Sequence, residues 1–420
     1  MICKLLLVLL IFCTLNTKLS SHEVWANWAG NQVCYPEHVY YPKTINSLIE
    51  TVKKAAAEGY TIRVLGSSFS YSDIACPHDI AISLKNLNQI LSINYVNNQV
   101  HAQAGITLKE LNERLAEHNL AIPNQADIEH ITLGGALCTA AHGTGNTGTI
   151  SSLVSKLELL TADGTIHSLS LDKNPELFKA AVVSLGALGV ITTVTLQCEP
   201  LFWIDTQQEI TSIDYALDNY KQFLSNNDFF RFTWDIKTNQ AIISRLNRIP
   251  NSNSSSLSAA ALRCFEAFNS YKLNDDDKAF AALEIALPVE ALPQALEQIN
   301  MFIEYRQKDM PIKNNVVIRF VKADTNSYLS PSANRDVVYI NLFIPHTGTA
   351  NSDYMSLCKD IEGALSILGG RPHWGKINTL TYEKAFELYG ENLTKFIVVK
   401  KYLDPQNIFS NAFIDKICKN

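Results

Sequence analysis

Two stretches of small and hydroxylated residues are the first places in this 420-residue sequence that could carry chemistry. Gly66–Ser70 follows a buried-strand pattern at Thr61–Leu65, and the second stretch runs from Thr132 to Gly145. Small side chains let backbone N–H groups approach a diphosphate closely, and hydroxyls add donors. Neither stretch has the G-x-G-x-x-G or Walker A spacing. Each alone could be a plain turn, but the two together favour an extended dinucleotide such as FAD.

Two histidines lie in or beside the second stretch, at His130 and His142. Each could contact a cofactor, or could be a buried histidine satisfied by its neighbours, and spacing leaves both interpretations open. Neither has other metal-ligating residues nearby in the sequence, so we predict no metal site.

The composition indicates a folded chain with a large core, since apolar residues make up 47% and charged residues 18%. The length corresponds to two or three domains at roughly 100–200 residues each. The net charge of −6 argues against a broad basic surface, so we expect no nucleic-acid partner.

The N-terminus has the pattern of a secretory signal peptide over residues 1–21. Lys4 precedes the apolar run Leu5–Leu15, and the small residues Ser20 and Ser21 follow. We therefore expect export, to the periplasm or the medium, with a retained anchor as the alternative. No later apolar run reaches the ~18 residues of a membrane span.

Seven cysteines remain after such a cleavage, and none belongs to a C-x-x-C pair, which makes a zinc site improbable. An odd number leaves at least one free thiol or an intermolecular bond, and the sequence does not give the pairing. The seven are Cys34, Cys76, Cys138, Cys198, Cys264, Cys358 and Cys418.

Helix and strand patterns alternate irregularly, as in an α+β protein. Thr44–Glu58 predicts a helix that ends at Gly59, and Leu108–His118 predicts a second. Val154–Thr161 and Thr165–Leu171 predict a hairpin.

The second half of the chain continues with strands and helices. Ala291–Arg306 and Tyr382–Lys400 predict helices, and Val316–Val321 and Asp336–Ile344 predict strands.

Seven motifs follow one another in an order that resembles one known family. They are Trp25–Trp28, Gly66–Cys76, Ala104–Leu108, Ile122–Asn124, Gly134–Gly145, Gly369–Lys376 (GGRPHWGK) and Leu403–Pro405. In this order they resemble the FAD-linked sugar-lactone and alditol oxidases. That group includes L-gulonolactone oxidase, D-arabinonolactone oxidase, plant galactonolactone dehydrogenase and bacterial alditol oxidase, all with the vanillyl-alcohol oxidase/p-cresol methylhydroxylase (PCMH) fold.

The resemblance implies a PCMH-type FAD-binding domain in two subdomains over residues 22–200. A cap domain with an antiparallel sheet would cover 201–380, and 381–420 would return to the FAD domain. The implied activity is oxidation of a CH–OH group in a sugar lactone, alditol or related polyhydroxy compound by hydride transfer to flavin N5. The small-molecule substrate's electrons would pass to O₂ or another acceptor. The alternative is a flavin-binding member of the fold whose sugar chemistry is lost or redirected.

The resemblance also implies site residues. Lys376, Arg319 and Asp127 would be catalytic, with Lys376 stabilising negative charge on reduced flavin. Substrate-binding residues would be Arg319, Asn341, His373 and Lys376. Cofactor contacts would be Gly66, Ser67, Ser68, Phe69, Ser70, Asp127, His130, Thr132, Gly135, Ala136, Leu137, Cys138, His142, Gly143, Gly145, Ile191 and Lys376.

Two positions depart from the family pattern. Phe69 stands where many members have the histidine that bonds covalently to FAD, so we expect non-covalent FAD. Val317 replaces the glutamate of the family's Glu-x-Arg pair, whose arginine is Arg319. We therefore expect Arg319 to lack its partner and to be freer to bind an anionic substrate such as a sugar acid. Asp127 is the candidate replacement carboxylate.

Overall fold

The computed structural model describes residues 23–250, 262–268, 280–306, 313–345 and 352–419. The signal peptide expected at residues 1–21 lies outside these ranges. Within them, every helix is too short or too polar to cross a bilayer.

The chain begins with a short hairpin and a three-stranded parallel sheet. The hairpin pairs β1 (Trp25–Ala26) with β2 (Val33–Cys34). The parallel sheet has the order β3-β5-β4, from β3 (His38–Tyr40), β4 (Ile62–Leu65) and β5 (Ile80–Ser83). Helix α1 (Ile45–Ala57) connects β3 to β4 and confirms the first predicted helix. The Thr44 side chain caps it by accepting a hydrogen bond from the Ser47 backbone N–H.

A five-stranded antiparallel sheet follows, in the order β10-β9-β11-β7-β6. Its strands are β6 (Ile90–Asn94), β7 (Gln99–Gln103), β9 (Val154–Leu160), β10 (Ile166–Ser170) and β11 (Val190–Gln197). The predicted hairpin is β9–β10. Three helices belong to this part: α2 (Leu108–Glu117), α3 (Leu133–Cys138) and α4 (Pro175–Val182). A two-stranded sheet pairs β8 (Leu120–Ala121) with β12 (Glu199–Pro200).

The next sheet has eight antiparallel strands in the order β16-β13-β15-β14-β18-β19-β17-β20. They are β13 (Phe202–Ser212), β14 (Phe229–Asp235), β15 (Gln240–Pro250), β16 (Leu262–Arg263), β17 (Phe280–Pro288), β18 (Asn315–Val321), β19 (Val337–Pro345) and β20 (Arg371–Pro372). The accompanying helices are α5 (Ile213–Asn226), α6 (Cys264–Phe268), α7 (Leu292–Arg306) and α8 (Ser352–Ile367). Strands β18 and β19 and helix α7 confirm the predicted elements to within about one residue.

The eight-stranded sheet is covered by helices on one face. Val316, Ile318 and Phe320 of β18 are buried in one core with side chains of α5, α7 and α8. Because side chains alternate along a strand, the odd-numbered residues of β18 point to the opposite face. That face carries the candidate site.

The C-terminal segment forms α9 (Tyr382–Tyr389), α10 (Glu391–Leu403) and α11 (Ala412–Cys418). The single helix predicted over Tyr382–Lys400 is therefore wrong. Gly390 has φ +52 and serves both as C-cap of α9 and as N-cap of α10. A positive φ ends helical hydrogen bonding, and glycine adopts it without steric cost. Phe396, Phe409 and Phe413 share a core with the three-stranded and five-stranded sheets.

The cysteines form one disulfide within the described residues, between Cys34 and Cys76. The other five, Cys138, Cys198, Cys264, Cys358 and Cys418, are free thiols, whereas the odd count required at least one unpaired cysteine. The mixture of helices with mainly antiparallel sheets confirms the predicted α+β class.

Candidate functional site

A cavity of about 620 Å³ lies between the first part of the chain and the face of the eight-stranded sheet that the helices do not cover. The Gly66–Ser70 loop and the start of α3 line one side, and β14, β18, β19 and β17 line the other. This volume is within the roughly 300–1,000 Å³ of ligand sites.

The two glycine-rich stretches meet at one end of this cavity. A Cβ atom on Gly66 would lie 2.6 Å from Thr132 Oγ1, and one on Gly135 would lie 3.0 Å from the same atom. A side chain at position 66 or 135 would therefore collide with the Thr132 hydroxyl. The Thr132 hydroxyl oxygen accepts a hydrogen bond from the Gly135 backbone N–H at 3.3 Å.

This end of the cavity fits the dinucleotide expected from the sequence. Ser67, Ser68 and Ser70 bring hydroxyl groups to the wall, while Ala104 and Ile191 bring apolar surface. A diphosphate needs donors and an isoalloxazine needs an apolar slot, and both are present here.

Most of the predicted cofactor contacts line the cavity, and four do not. His130 is exposed, and Leu137 is buried away from the cavity. Gly143 is needed for packing, because a Cβ there would lie 2.0 Å from the Gln125 carbonyl oxygen. Gly145 has φ +133 and packs against Phe229. For these four, proximity in the sequence to true wall residues was misleading.

Arg319 is not the unpartnered cation that Val317 led us to expect. One of its terminal nitrogens donates to the Glu284 carboxylate and the other to the Asp127 carboxylate. Arg319 is 4% exposed and Glu284 is 1% exposed, so this ion pair is buried. The expectation of a freer Arg319 is therefore wrong.

Glu284 replaces the missing carboxylate from a different strand. In the sheet register Asn341 of β19 is paired with Val317 on one side and with Glu284 of β17 on the other. Val317 and Glu284 therefore lie in the same row across the sheet, with β19 between their strands.

Two more basic side chains approach the Glu284 carboxylate. His142 Nε2 lies 3.6 Å from Oε1, and Lys376 Nζ lies 4.0 Å from Oε2. Burial alone would raise the pKa of the Glu284 carboxyl, but Arg319, with His142 and Lys376, outweighs it and holds the pKa well below its usual range. Burial lowers the pKa of the Lys376 ammonium, which Glu284 partly opposes.

Hydrogen bonds fix the nearby histidine rings. The Nδ1 of His373 accepts from the Gly375 backbone N–H at 3.0 Å, and burial lowers the pKa of His373 to about 3. Its ring is therefore neutral, with the proton on Nε2. His142 stacks on Tyr339 with ring centroids 3.5 Å apart, and its Nδ1 lies 3.0 Å from the Gly143 carbonyl oxygen.

His142, Glu284 and His373 place one potential metal-ligating atom each within 4.8 Å of one another. Arg319 and Lys376 already face the carboxylate, and their positive charges oppose a divalent cation. We assign no metal to this group.

Two site residues, Glu284 and Arg231, were missed by the sequence analysis. Arg231 of β14 is directly opposite Arg319 of β18, and its Nη1 lies 3.5 Å from Asp127 Oδ1. Asp127 thus lies between two arginines. Each missed residue is a charge within a largely apolar strand, and that pattern could have identified it.

Three buried polar atoms of cavity-lining residues have no hydrogen-bond partner among the described residues. One is Arg63 Nε, on β4. The other two lie on the eight-stranded sheet and are Asn341 Oδ1, an acceptor, and Arg319 Nε, a donor. Unpaired buried polar atoms are costly, so both are suited to a ligand. A ligand hydroxyl, which donates and accepts, complements this pair of atoms.

Comparison with known proteins agrees with this geometry. Residues 36–170 match the family model described as FAD binding domain, and 194–275 together with 266–417 match the model described as D-arabinono-1,4-lactone oxidase. L-gulonolactone oxidase of Bos taurus is 30% identical over 430 residues, covering 93% of this chain and 97% of that protein. L-gulono-1,4-lactone dehydrogenase of Mycobacterium tuberculosis (strain ATCC 25618 / H37Rv) is 29% identical, covering 94% and 99%.

A solved cholesterol oxidase from B. sterolicum superposes with a TM-score of 0.76 at 15% identity, covering 94% of this chain and 97% of that one. This likeness shows the fold, and the predicted PCMH-type fold is thereby confirmed. With an FAD-binding domain followed by the lactone-oxidase region, the chain belongs to the D-arabinono-1,4-lactone oxidase family of FAD-dependent oxidoreductases.

Proposed function

We propose that this protein oxidises a CH–OH group of a sugar lactone, an alditol or a related polyhydroxy compound. The carbinol carbon loses a hydride and its hydroxyl loses a proton. Bound FAD supplies the hydride acceptor. The observation that carries the proposal is the convergence of Arg319, Asn341 and Lys376 on a cavity whose other end is the Gly66–Thr132 cradle.

Arg319 and Asn341 are proposed to hold the substrate oxygens. Asn341 Oδ1 accepts from a substrate hydroxyl, and Arg319 Nε donates to one, which satisfies the two unpaired atoms. Both side chains are fixed by the sheet before substrate arrives, so little ordering is needed on binding.

Glu284 is proposed to act by positioning the cations rather than by taking the proton. Its depressed pKa makes it a weak base near neutral pH. It keeps Arg319 and Lys376 in place against the cavity wall.

Asp127 remains the proposed acceptor for the hydroxyl proton. Its side chain is 29% exposed and lines the cavity between Arg231 and Arg319. Unchanged flavin reduction in Asp127→Ala with a true substrate would remove it from this role.

FAD is proposed to be held without a covalent bond. Phe69 lines the cavity and stacks on Trp28 with ring centroids 5.6 Å apart, and phenylalanine has no nucleophilic nitrogen. After acid precipitation, the yellow colour should be in the supernatant. Flavin that stays in the pellet would contradict this.

The domain division and the location are also proposals. Two large hydrophobic cores support the FAD-binding region 22–200 with the tail 381–420, and the cap 201–380. The cores also cross this division, since Tyr328 and Trp374 belong to the first core and Ala29 and Tyr71 to the second. Export is supported by the Cys34–Cys76 disulfide, because such bonds persist in oxidising compartments. Cell fractionation with an antibody checks the location.

One experiment tests the proposed function. The purified holoenzyme is mixed without oxygen with a panel of aldonolactones and alditols, and the flavin absorbance is followed. Bleaching identifies a substrate, and the rate of recovery on adding air shows whether O₂ or another compound is the electron acceptor.

The second candidate function is a flavin-binding protein with lost or redirected sugar chemistry. Val317, in place of a carboxylate, is the feature that favours it. An absence of bleaching with every lactone and alditol, in a protein that carries FAD, would support this second function over the first.

A further inference from the structure

The N-terminal hairpin lies against the loop that forms the cofactor cradle. We call residues 23–36, which include β1 and β2, the strap. The Trp28 backbone N–H donates to the Ser68 carbonyl oxygen at 2.8 Å, and the Asn27 side chain donates to the Ser70 carbonyl oxygen at 2.8 Å. The Trp25 indole N–H donates to Ser68 Oγ at 3.1 Å. The strap thus forms hydrogen bonds with both Ser68 and Ser70 of the loop.

The strap also holds the end of the loop. The side chains of Asn31 and Gln32 both donate to the Tyr71 carbonyl oxygen, at 2.9 and 3.1 Å. With its carbonyl groups held by the strap, the loop can offer N–H and hydroxyl groups to the cavity. Ser68 has φ 59, an unusual conformation for serine that needs such support.

An aromatic contact links the strap to the cavity itself. Trp28 stacks on Phe69 at an interplanar angle of 26°. Phe69 lines the cavity, and the non-covalent binding of FAD proposed above rests on this residue. The strap therefore packs against the side chain that, under that proposal, stands in place of the linking histidine.

The strap's own secondary structure is small. β1 and β2 are joined over the pairs Trp25↔Cys34 and Ala26↔Val33, and backbone hydrogen bonds from Glu23 to Pro36 and from Asn27 to Gln32 flank them. The Cys34–Cys76 disulfide fastens the end of β2 to the residue that follows the turn Asp73–Ala75, on the far side of the loop. Residues 34–76, including the whole cradle loop, are thereby enclosed in one covalent ring.

We propose that the strap, fastened by the Cys34–Cys76 disulfide, retains FAD in place of a covalent bond to the cofactor. Reduction by an added phosphine transfers two electrons to the disulfide. The S–S bond breaks, two thiols form with two protons from water, and the phosphine becomes its oxide. The freed strap no longer holds Ser68–Tyr71, and FAD dissociates faster.

The test compares Cys34→Ser/Cys76→Ser with wild type and with Cys198→Ser, which alters a buried free thiol elsewhere. Holoenzyme is diluted without substrate, and release of FAD is followed by its fluorescence. We expect the double variant to release FAD about 10-fold to 100-fold faster, the equivalent of a few lost hydrogen bonds. The control should release it at the wild-type rate.

A second measurement covers a double variant that fails to fold. Folded wild type is treated with tris(2-carboxyethyl)phosphine, and mass spectrometry verifies reduction of the disulfide. Release faster by the same factor, with an unchanged far-ultraviolet circular dichroism spectrum, supports the proposal. Wild-type release rates after verified reduction, or flavin bound covalently, would overturn it. The inference rests on the non-covalent FAD proposed above; because no substrate is used, failure of the proposed CH–OH oxidation leaves this result unaffected.

Discussion

Val317 and Glu284 lie in one row of the eight-stranded sheet, on either side of Asn341. The carboxylate that β18 lacks is thus provided by β17, and Arg319 reaches it across the intervening strand. The loss of a glutamate beside Arg319 in the sequence therefore does not leave the arginine without an anionic partner.

Glu284→Gln should leave two cations in the buried site, Arg319 and Lys376, with Asp127 as their remaining carboxylate neighbour. Removing one partner of a buried ion pair costs roughly 3–5 kcal/mol, and we expect about 3 kcal/mol because glutamine retains a hydrogen bond. Denaturant unfolding measures the loss. Glu290→Gln, at an exposed position just after the same strand, should change stability by less than about 0.5 kcal/mol. Equal stability of both variants would contradict the buried pair.

Val317→Glu should restore what Glu284→Gln removes. The two side chains share a face and a row, so a carboxylate at 317 can approach the same guanidinium. In the double variant Val317→Glu/Glu284→Gln, we expect the free energy of unfolding and the anaerobic rate of flavin reduction to exceed those of Glu284→Gln alone. A double-mutant cycle should give a coupling of about 1–3 kcal/mol. Additive effects would show that the two positions do not serve the same cation.

Lys376→Met should slow flavin reduction by about 100-fold, because a fixed charge in the cavity wall is lost. The pKa of Lys376 is lowered by burial, so its positive charge is present at low pH and is lost at a pH below the ordinary value of about 10.4. The wild-type rate should therefore fall on the alkaline side. Lys376→Arg should move that fall to higher pH, and an identical alkaline limb in Lys376→Met would exclude Lys376 as its source.

His373 should make folding less stable as the pH is lowered. Its folded pKa of about 3 lies below the unfolded value of about 6.5, so the unfolded chain binds the proton more readily. The stabilisation is fully present above the unfolded pKa and decreases below it, by about 2 kcal/mol between pH 7 and 5. In His373→Asn, whose amide oxygen can still accept from Gly375, this part of the pH dependence should be absent. The difference between the two unfolding curves isolates it from other histidines.

Local patterns in the sequence determined many of the elements. Thr44 and Gly59 flank a helix whose capping residues are its immediate neighbours in the sequence. The apolar residues of Val316–Val321 predicted β18. The glycines at 66 and 135 predicted backbone that a diphosphate could approach closely. The fold brings both glycines against Thr132 in the cavity wall. Such signals depend only on residues that are close together along the chain, so they can be read directly from the sequence.

The tertiary structure alone decided which distant residues meet. Glu284 and Arg319 lie 35 positions apart, on strands separated by β19, and only the sheet register makes them partners. The Cys34–Cys76 pairing likewise required the fold. Helix caps and strand patterns are fixed by energies within one element, whereas an ion pair between strands depends on the register and packing of the whole sheet. One strand pattern is compatible with many registers until the core selects one.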